Sequence, residues 1–224
     1  LPLLIPLQTM CPEINTSVVL VLKLLNRVLL RDFSAPVCVD LATMKSMKLA
    51  SDHRGWIFDL AATENEKYFF SVGEDATLKK WSASSWIAID SAELDSSGSS
   101  VMVWEEKSSV LVGTKKGTVS EFSFNDLKKL RSVELHKDWV RRILQVSPGL
   151  IVSCSFDGHL AFPFSDFAPI KVSAQFVEDL TMIEPNRLAC SCSSEGIKIF
   201  DLRIKKKKKV ESACQSPADK KASP

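Results

Sequence analysis

The sequence predicts an all-β chain, an array of about four four-stranded units arranged as an incomplete or open β-propeller. Three observations predict it. His53, Ser71, Asp75 and Trp81 stand at positions i, i+18, i+22 and i+28, and His136, Ser153 and Asp157 recur at i, i+17 and i+21. Asp75, Lys116, Asp157 and Glu195 mark a nearly constant interval along the chain. Between these marks lie short apolar runs separated by polar turns. A period of about 40–45 residues, with four short strands in each unit, is the pattern of propeller blades.

The clearest unit starts at His53. Trp56 to Leu60 reads as a first strand and Glu64 to Lys67 as a polar turn. Tyr68 to Val72 is an apolar second strand, Gly73 to Ala76 a tight turn, and Thr77 to Trp81 a third strand alternating at period 2. Trp86 to Ile89 then supplies an outer strand. A second unit repeats this with Val101–Trp104, Val110–Gly113 and Thr118–Phe122. The third has Trp139–Leu144, Leu150–Cys154 and His159–Phe162. The fourth has Leu180–Met182, Arg187–Ser191 and Ile197–Phe200. Upstream, Val39 to Thr43 reads as the end of a preceding unit. Residues 17–38 fit that unit's earlier strands in degenerate form. They equally fit an amphipathic helix, with Leu22, Leu25, Val28 and Leu29 on one face. The expected organisation is therefore an uncertain segment over 1–38, repeated units over 39–203, and a basic, disordered tail over 204–224.

Charge separates the tail from the body. Eight of the 29 basic residues and two of the 27 acidic ones lie in 203–224, which carries +6 and leaves residues 1–202 at −4. A mildly acidic body is a poor footprint for nucleic acid, so any such binding is assigned to the tail and its Lys205–Lys209 run. The same run also fits an import signal or a solvated charge cluster. The six cysteines show no disulfide framework, and Cys190-Ser-Cys192 lacks the spacing and second ligand pair of a zinc site. No metal or other cofactor is expected, and a reducing compartment, cytoplasm or nucleus, is the expected setting. Leu1–Leu7 lacks the charged flank of a signal peptide, and Lys23, Asn26 and Arg27 interrupt Leu20–Leu30 well short of a membrane span. Asn15-Thr16-Ser17 fits a glycosylation pattern without a secretory signal to give it meaning. The absence of an initiating Met suggests a piece of a longer chain.

Over roughly residues 39–203 the pattern resembles the WD40-repeat family. In that family a His ahead of the first strand, a second-strand Ser, a turn Asp and a third-strand Trp form a hydrogen-bonded chain that locks each blade. His53, Ser71, Asp75 and Trp81 match in full. His136, Ser153 and Asp157 match in the third unit, where Pro163, between Phe162 and Phe164, falls on the Trp position. Lys116 and Phe122 replace Asp and Trp in the second unit, and Glu195, Phe200 and Asp201 are partial matches in the fourth. Val39 falls on the Trp position of the upstream fragment. Four units and a fragment are fewer than the seven usual in the family, so a longer chain, a partner or an open array must deal with the unpaired edges.

Ser, His and Asp together also suggest a nucleophilic triad. A triad needs an open cleft and an oxyanion hole, whereas the repeat accounts for the residues without chemistry, so no catalytic residue is assigned. The resemblance implies a scaffold that binds other proteins or peptides on the face where the first strands begin. Trp56 and Trp139, each three residues after its His, either fill the space between units or face that partner. Arg54, Lys137 and Arg141 flank them, as does Arg142. Trp and Arg dominate interface energetics, so Arg54, Trp56, Lys137, Trp139 and Arg141 are the candidate partner residues. Phe200-Asp201-Leu202-Arg203 resembles the W-D-x-R box of WD40 substrate receptors on cullin-4 ubiquitin ligases, where the Arg contacts the ligase adaptor. Arg203 is carried as a candidate on that resemblance, and an ordinary strand end explains the same residues. The lysine run supports a further alternative, a nuclear RNA-processing factor.

Overall fold

A computed structural model describes residues 19–32, 34–50 and 52–202. It contains five small antiparallel sheets that follow one another along the chain, each formed from strands consecutive in sequence. Sheet I holds β1 (Val19–Leu22), β2 (Arg27–Leu30), β3 (Val37–Asp40) and β4 (Ser46–Lys48). Sheet II holds β5 (Ile57–Ala62), β6 (Tyr68–Gly73), β7 (Thr77–Ser82) and β8 (Ile87–Glu93). Sheet III holds β9 (Gly98–Trp104), β10 (Ser109–Thr114), β11 (Thr118–Ser123) and β12 (Lys129–Glu134). Sheet IV holds β13 (Val140–Ser147), β14 (Leu150–Ser155), β15 (His159–Ala161) and β16 (Ile170–Lys171). Sheet V has three strands, β17 (Val177–Glu184), β18 (Arg187–Cys192) and β19 (Gly196–Asp201). Residues 19–48 form the four strands of sheet I; the part of it before Val39, which the sequence left open between strands and a helix, supplies β1, β2 and the start of β3. The described part of the chain thus has five sheets, one more than the four full units read from the sequence.

Burial follows position within each sheet. The second strands are buried along nearly their whole length, as in Tyr68–Gly73 and Ser109–Thr114, because sheets pack on both of their faces. The fourth strands are exposed or alternate, as in Ile87–Glu93 and Lys129–Glu134. Period 2 in a doubly covered strand sends neighbouring residues into different cores. Phe69 joins Leu22, Leu29, Ile57 and Trp81 between sheets I and II, whereas Phe70 joins Val101, Val110 and Phe122 between sheets II and III. Leu111 and Ile151 build the next core with Trp104 and Val140, and Val152 and Cys154 the last with Val177 and Leu188. The first strands β1, β5, β9, β13 and β17 pack side by side in that order.

A backbone clip joins each sheet to the next. A residue in the left-handed region stands in the turn before each third strand or opens that strand: Ser34, Ala76, Gly117, Gly158 and Gly196. Four of their carbonyls accept an N–H from the chain on its way into the following sheet: Ser34 from His53, Ala76 from Leu94, Gly117 from His136, and Gly158 from Ser173. At Gly117 the approach is so close that a Cβ would lie 2.1 Å from the His136 carbonyl oxygen, and φ is +86°, so only glycine fits.

Asp59 ties first strands together deeper in. Its carboxylate accepts the N–H of Val101 from sheet III at 2.9 Å and that of Leu60 at 3.0 Å, and Arg142 of sheet IV approaches to 3.8 Å. Arg142 in turn donates to Asp179 of sheet V at 2.7 Å. Ser100, equivalent to Asp59 in sheet III, accepts the N–H of Ile143 at 3.2 Å.

Candidate functional site

The polar chain of sheet II has one consistent direction. Trp81 Nε1 can only donate, and it reaches Ser71 Oγ at 2.8 Å. The Ser71 hydrogen is then free for His53 Nε2 at 2.6 Å, and His53 Nδ1–H donates to Asp75 at 3.0 Å. Both His53 and Ser71 are buried. Ser71 Oγ is committed to two partners and closed to solvent, so this serine is not available as a nucleophile. Sheet IV repeats the chain without its tryptophan: His136 meets Ser153 at 2.9 Å and Asp157 at 3.1 Å. Pro163 sits on the Trp position by register, and the third strand there ends at Ala161. In sheet III apolar groups fill the interior instead, with Val112 and Phe122 buried and Lys116 exposed. In sheet V Glu195 takes the Asp position and accepts Ser173 Oγ at 3.0 Å. An ion pair with Lys198 leads the interactions that pull the Glu195 carboxyl down to about 2.

These acids also hold the loops that carry the candidate partner residues. Asp75 accepts the N–H of Arg54 at 3.0 Å, Asp157 that of Lys137 at 2.9 Å, and Glu195 that of Ala174 at 2.8 Å. The buried chain therefore fixes the backbone from which the exposed side chains of Arg54 and Lys137 project.

Burial pushes the His53 and His136 imidazoles below their ordinary pKa, outweighing the pull of Asp75 and Asp157. Burial also raises both aspartates. It is outweighed by backbone N–H bonds and the histidines, which leave Asp75 and Asp157 below the usual carboxylate range. Both histidines are thus neutral in the fold at neutral pH. In the unfolded chain they take up protons first, so their contribution is complete above about pH 6.5 and is lost as pH falls towards the depressed folded values. The histidine contribution to the urea midpoint should therefore be flat above about pH 6.5 and decline below it. His53→Gln should weaken the decline, and an unchanged slope in that variant would contradict the assignment.

Register brings the partner candidates onto one face. Where each second strand ends against the start of the first, Glu74 donates its N–H to the Trp56 carbonyl, Lys115 to Ser97, Phe156 to Trp139, and Ser193 to Phe176. Trp56, Ser97, Trp139 and Phe176 are therefore equivalent, as are Glu74, Lys115, Phe156 and Ser193. Because the first strands lie side by side, these pairs form a row across sheets II to V. Aromatic rings run along it: Phe58 to Trp139 at 6.2 Å, Trp139 to Phe156 at 5.8 Å, and Phe156 to Phe176 at 4.8 Å. Over sheet III, where Ser97 is small, Lys115 fills the place of a ring. Its ammonium lies 4.2 Å from the Phe58 centroid and 3.8 Å from that of Trp139. The Arg141 guanidinium sits 4.9 Å from the Phe156 ring. Trp56 is 46% exposed and Phe176 45%.

The two tryptophans thus differ: Trp139 is half-buried within the ladder, and Trp56 projects from the face. Lys115, Phe58, Phe156 and Phe176 were not singled out by sequence. For Lys115, Phe156 and Phe176 the one sequence signal is the shared offset, 56, 97, 139 and 176 beside 74, 115, 156 and 193, which needs the register before it can be seen; Phe58 lies off that series. Arg203, the Lys205–Lys209 run, Cys11, Cys214 and Asn15–Ser17 lie outside the described residues. Phe200 pairs with Leu188 in register and packs on the last core. The described cysteines Cys38, Cys154, Cys190 and Cys192 are free and buried. Among the described residues no group of three His, Cys, Asp or Glu side chains is placed to hold a metal ion, and no helix is long and apolar enough to cross a membrane.

No protein-family model and no curated protein matches the chain. Among solved structures it is similar to the crystal structure of the computationally designed Ika8 protein, with a TM-score of 0.70 at 16% identity over 84% of this chain. The chain spans 58% of that protein's length, and at this identity the likeness concerns the fold alone.

Proposed function

We propose that the five sheets are WD40-like blades of an incomplete or open β-propeller, and that the chain is a non-catalytic scaffold binding other proteins or peptides in the cytoplasm or nucleus. The blade reading is supported by the recurrence of sheet, clip and polar chain at a near-regular interval. The single observation that carries the scaffold reading is the cation–aromatic ladder across sheets II to V. Its backbone is held by N–H groups of Arg54 and Lys137 that donate to Asp75 and Asp157, while the side chains of Arg54, Trp56, Lys137 and Phe176 stay exposed. Rigid placement of aromatic and Arg side chains is what interface hot spots require.

Quantitative co-purification from cells should test this, comparing the native chain with a triple variant, Arg54→Glu, Trp56→Ala and Lys137→Glu. All three side chains are exposed, so the melting temperature should hold within about 2 °C. Bound proteins should fall at least about tenfold. An unchanged set of bound proteins at unchanged stability would remove this face as the partner site.

A further inference from the structure

We infer that the ladder takes an acidic peptide segment bearing one bulky apolar side chain; this rests on the scaffold reading and names the chemistry of its partner. Most acids on this face are engaged by the protein's own backbone or histidines, and Glu178 pairs with Arg141. Glu74 accepts the Trp56 N–H at 3.3 Å, Asp138 the Trp139 N–H at 2.7 Å, and Asp75 and Asp157 are engaged with their histidines. Of the cations, Arg54, Lys116 and Lys137 are exposed, and Lys115 and Arg141 half-exposed. Arg141 pairs with Glu178 at 3.9 Å and its Nε is buried, so Arg54, Lys115, Lys116 and Lys137 are the cations left for a ligand.

The side chains free to meet a ligand along the row are thus mainly cationic, on a body that carries −4 over residues 1–202. Such an island attracts carboxylates locally while the remaining surface repels polyanions. Lys115 is held between two rings, so a carboxylate that meets it finds a pre-positioned ammonium and loses less side-chain entropy on binding. Trp56 and Phe176, at the two ends of the row, offer exposed rings for an apolar anchor. Nucleic acid fits less well. The faces of Phe58 and Trp139 are covered by Lys115, and Trp139, Phe156 and Phe176 pack on one another, which leaves few faces for base stacking.

Fluorescence anisotropy with four labelled probes tests the inference. The first is a short peptide with Asp and Glu flanking a central Trp. The second replaces the acids by Lys, the third by Ser and Gln, and the fourth is an oligouridylate of matching length. The acidic peptide should bind the native chain and weaken at least about tenfold as NaCl rises from about 50 to 500 mM. Arg54→Glu with Lys137→Glu, and separately Lys115→Ala, should each weaken it at least about fivefold at unchanged melting temperature. The exposed pair keeps the test decisive if Lys115→Ala loosens the rings. If the Lys or neutral peptide binds as well, and binding is lost in Trp56→Ala, the acidic assignment falls and the scaffold reading stands. Tighter binding of the oligouridylate overturns the peptide assignment. If none of the four probes binds, the acidic-peptide assignment falls, and the scaffold reading is decided by the co-purification.

Discussion

Trp81→Ala is expected to lower stability by about 3–5 kcal/mol, the range for truncating a fully buried aromatic residue. Trp81 has no exposed surface, stacks on Phe69 at 5.6 Å and fills the core between sheets I and II. Its loss opens a cavity there and leaves Ser71 Oγ without its donor. At this chain length each kcal/mol corresponds to roughly 2–4 °C, so the melting temperature should fall by about 6–20 °C. Trp81→Phe keeps most of the ring and removes the N–H, for a loss of about 1–2 kcal/mol. Asp75→Ala removes the acceptor for His53, the Arg54 N–H and Thr77, and should cost about 2–3 kcal/mol. Lys116, at the equivalent turn of sheet III, is exposed, and Lys116→Ala should stay within about 0.5 kcal/mol. Thermal denaturation of the four variants side by side measures this. Equal shifts for Asp75→Ala and Lys116→Ala would dissolve the register that makes the two turns equivalent.

The parts of the fold legible in the sequence are those where a polar side chain must be buried and satisfied. Histidine, serine, aspartate and tryptophan at fixed offsets are visible because few other residue types can form such a chain. Sheet I, like sheet III, has no such chain, and it also lacks the longer apolar strands that mark sheet III. Its strands are very short, and the apparent helical face comes from a hairpin. Leu22 and Leu29 enter one core from β1 and β2, Val28 turns to the other face, and Leu25 lies in the turn. Asn26 closes that turn with a φ of 51°. The left-handed position that unites all five sheets is equally hidden, because only three of its five residues are glycine. The ladder was half legible: its tryptophans and flanking charges stand out, but the lysine and phenylalanines that complete it come from different sheets. The cation–π contact between Lys115 and Phe58 joins positions far apart in the chain and leaves no local pattern.

Asp59→Ala should lower stability by about 3 kcal/mol, comparable to breaking other buried charge networks. Asp59 is buried, and its carboxylate is the acceptor for a backbone N–H that crosses from sheet II to sheet III. Alanine leaves the Val101 N–H without that acceptor, which alone costs about 1–3 kcal/mol. It also removes the counter-charge beside Arg142 and Arg31; Arg142 keeps Asp179 and partial access to water, which limits the further loss. Asp59→Asn retains one acceptor oxygen and should cost less than the alanine variant. The pH dependence separates the charge from the hydrogen bond. Burial pushes the Asp59 carboxyl above its ordinary range against the pull of Arg142, the two N–H groups and Arg31. The folded state therefore holds this proton at a pH where the unfolded chain has released it. Its contribution is greatest below about pH 4 and declines as pH rises through the folded value, opposite in sign to the histidines. Asp59→Asn removes that decline, so the gap between native and variant stability should narrow as pH rises from about 4 to 7. A gap that widens over the same range would mean that Asp59 is stabilised as an anion, with the Arg142 and Arg31 charges outweighing burial.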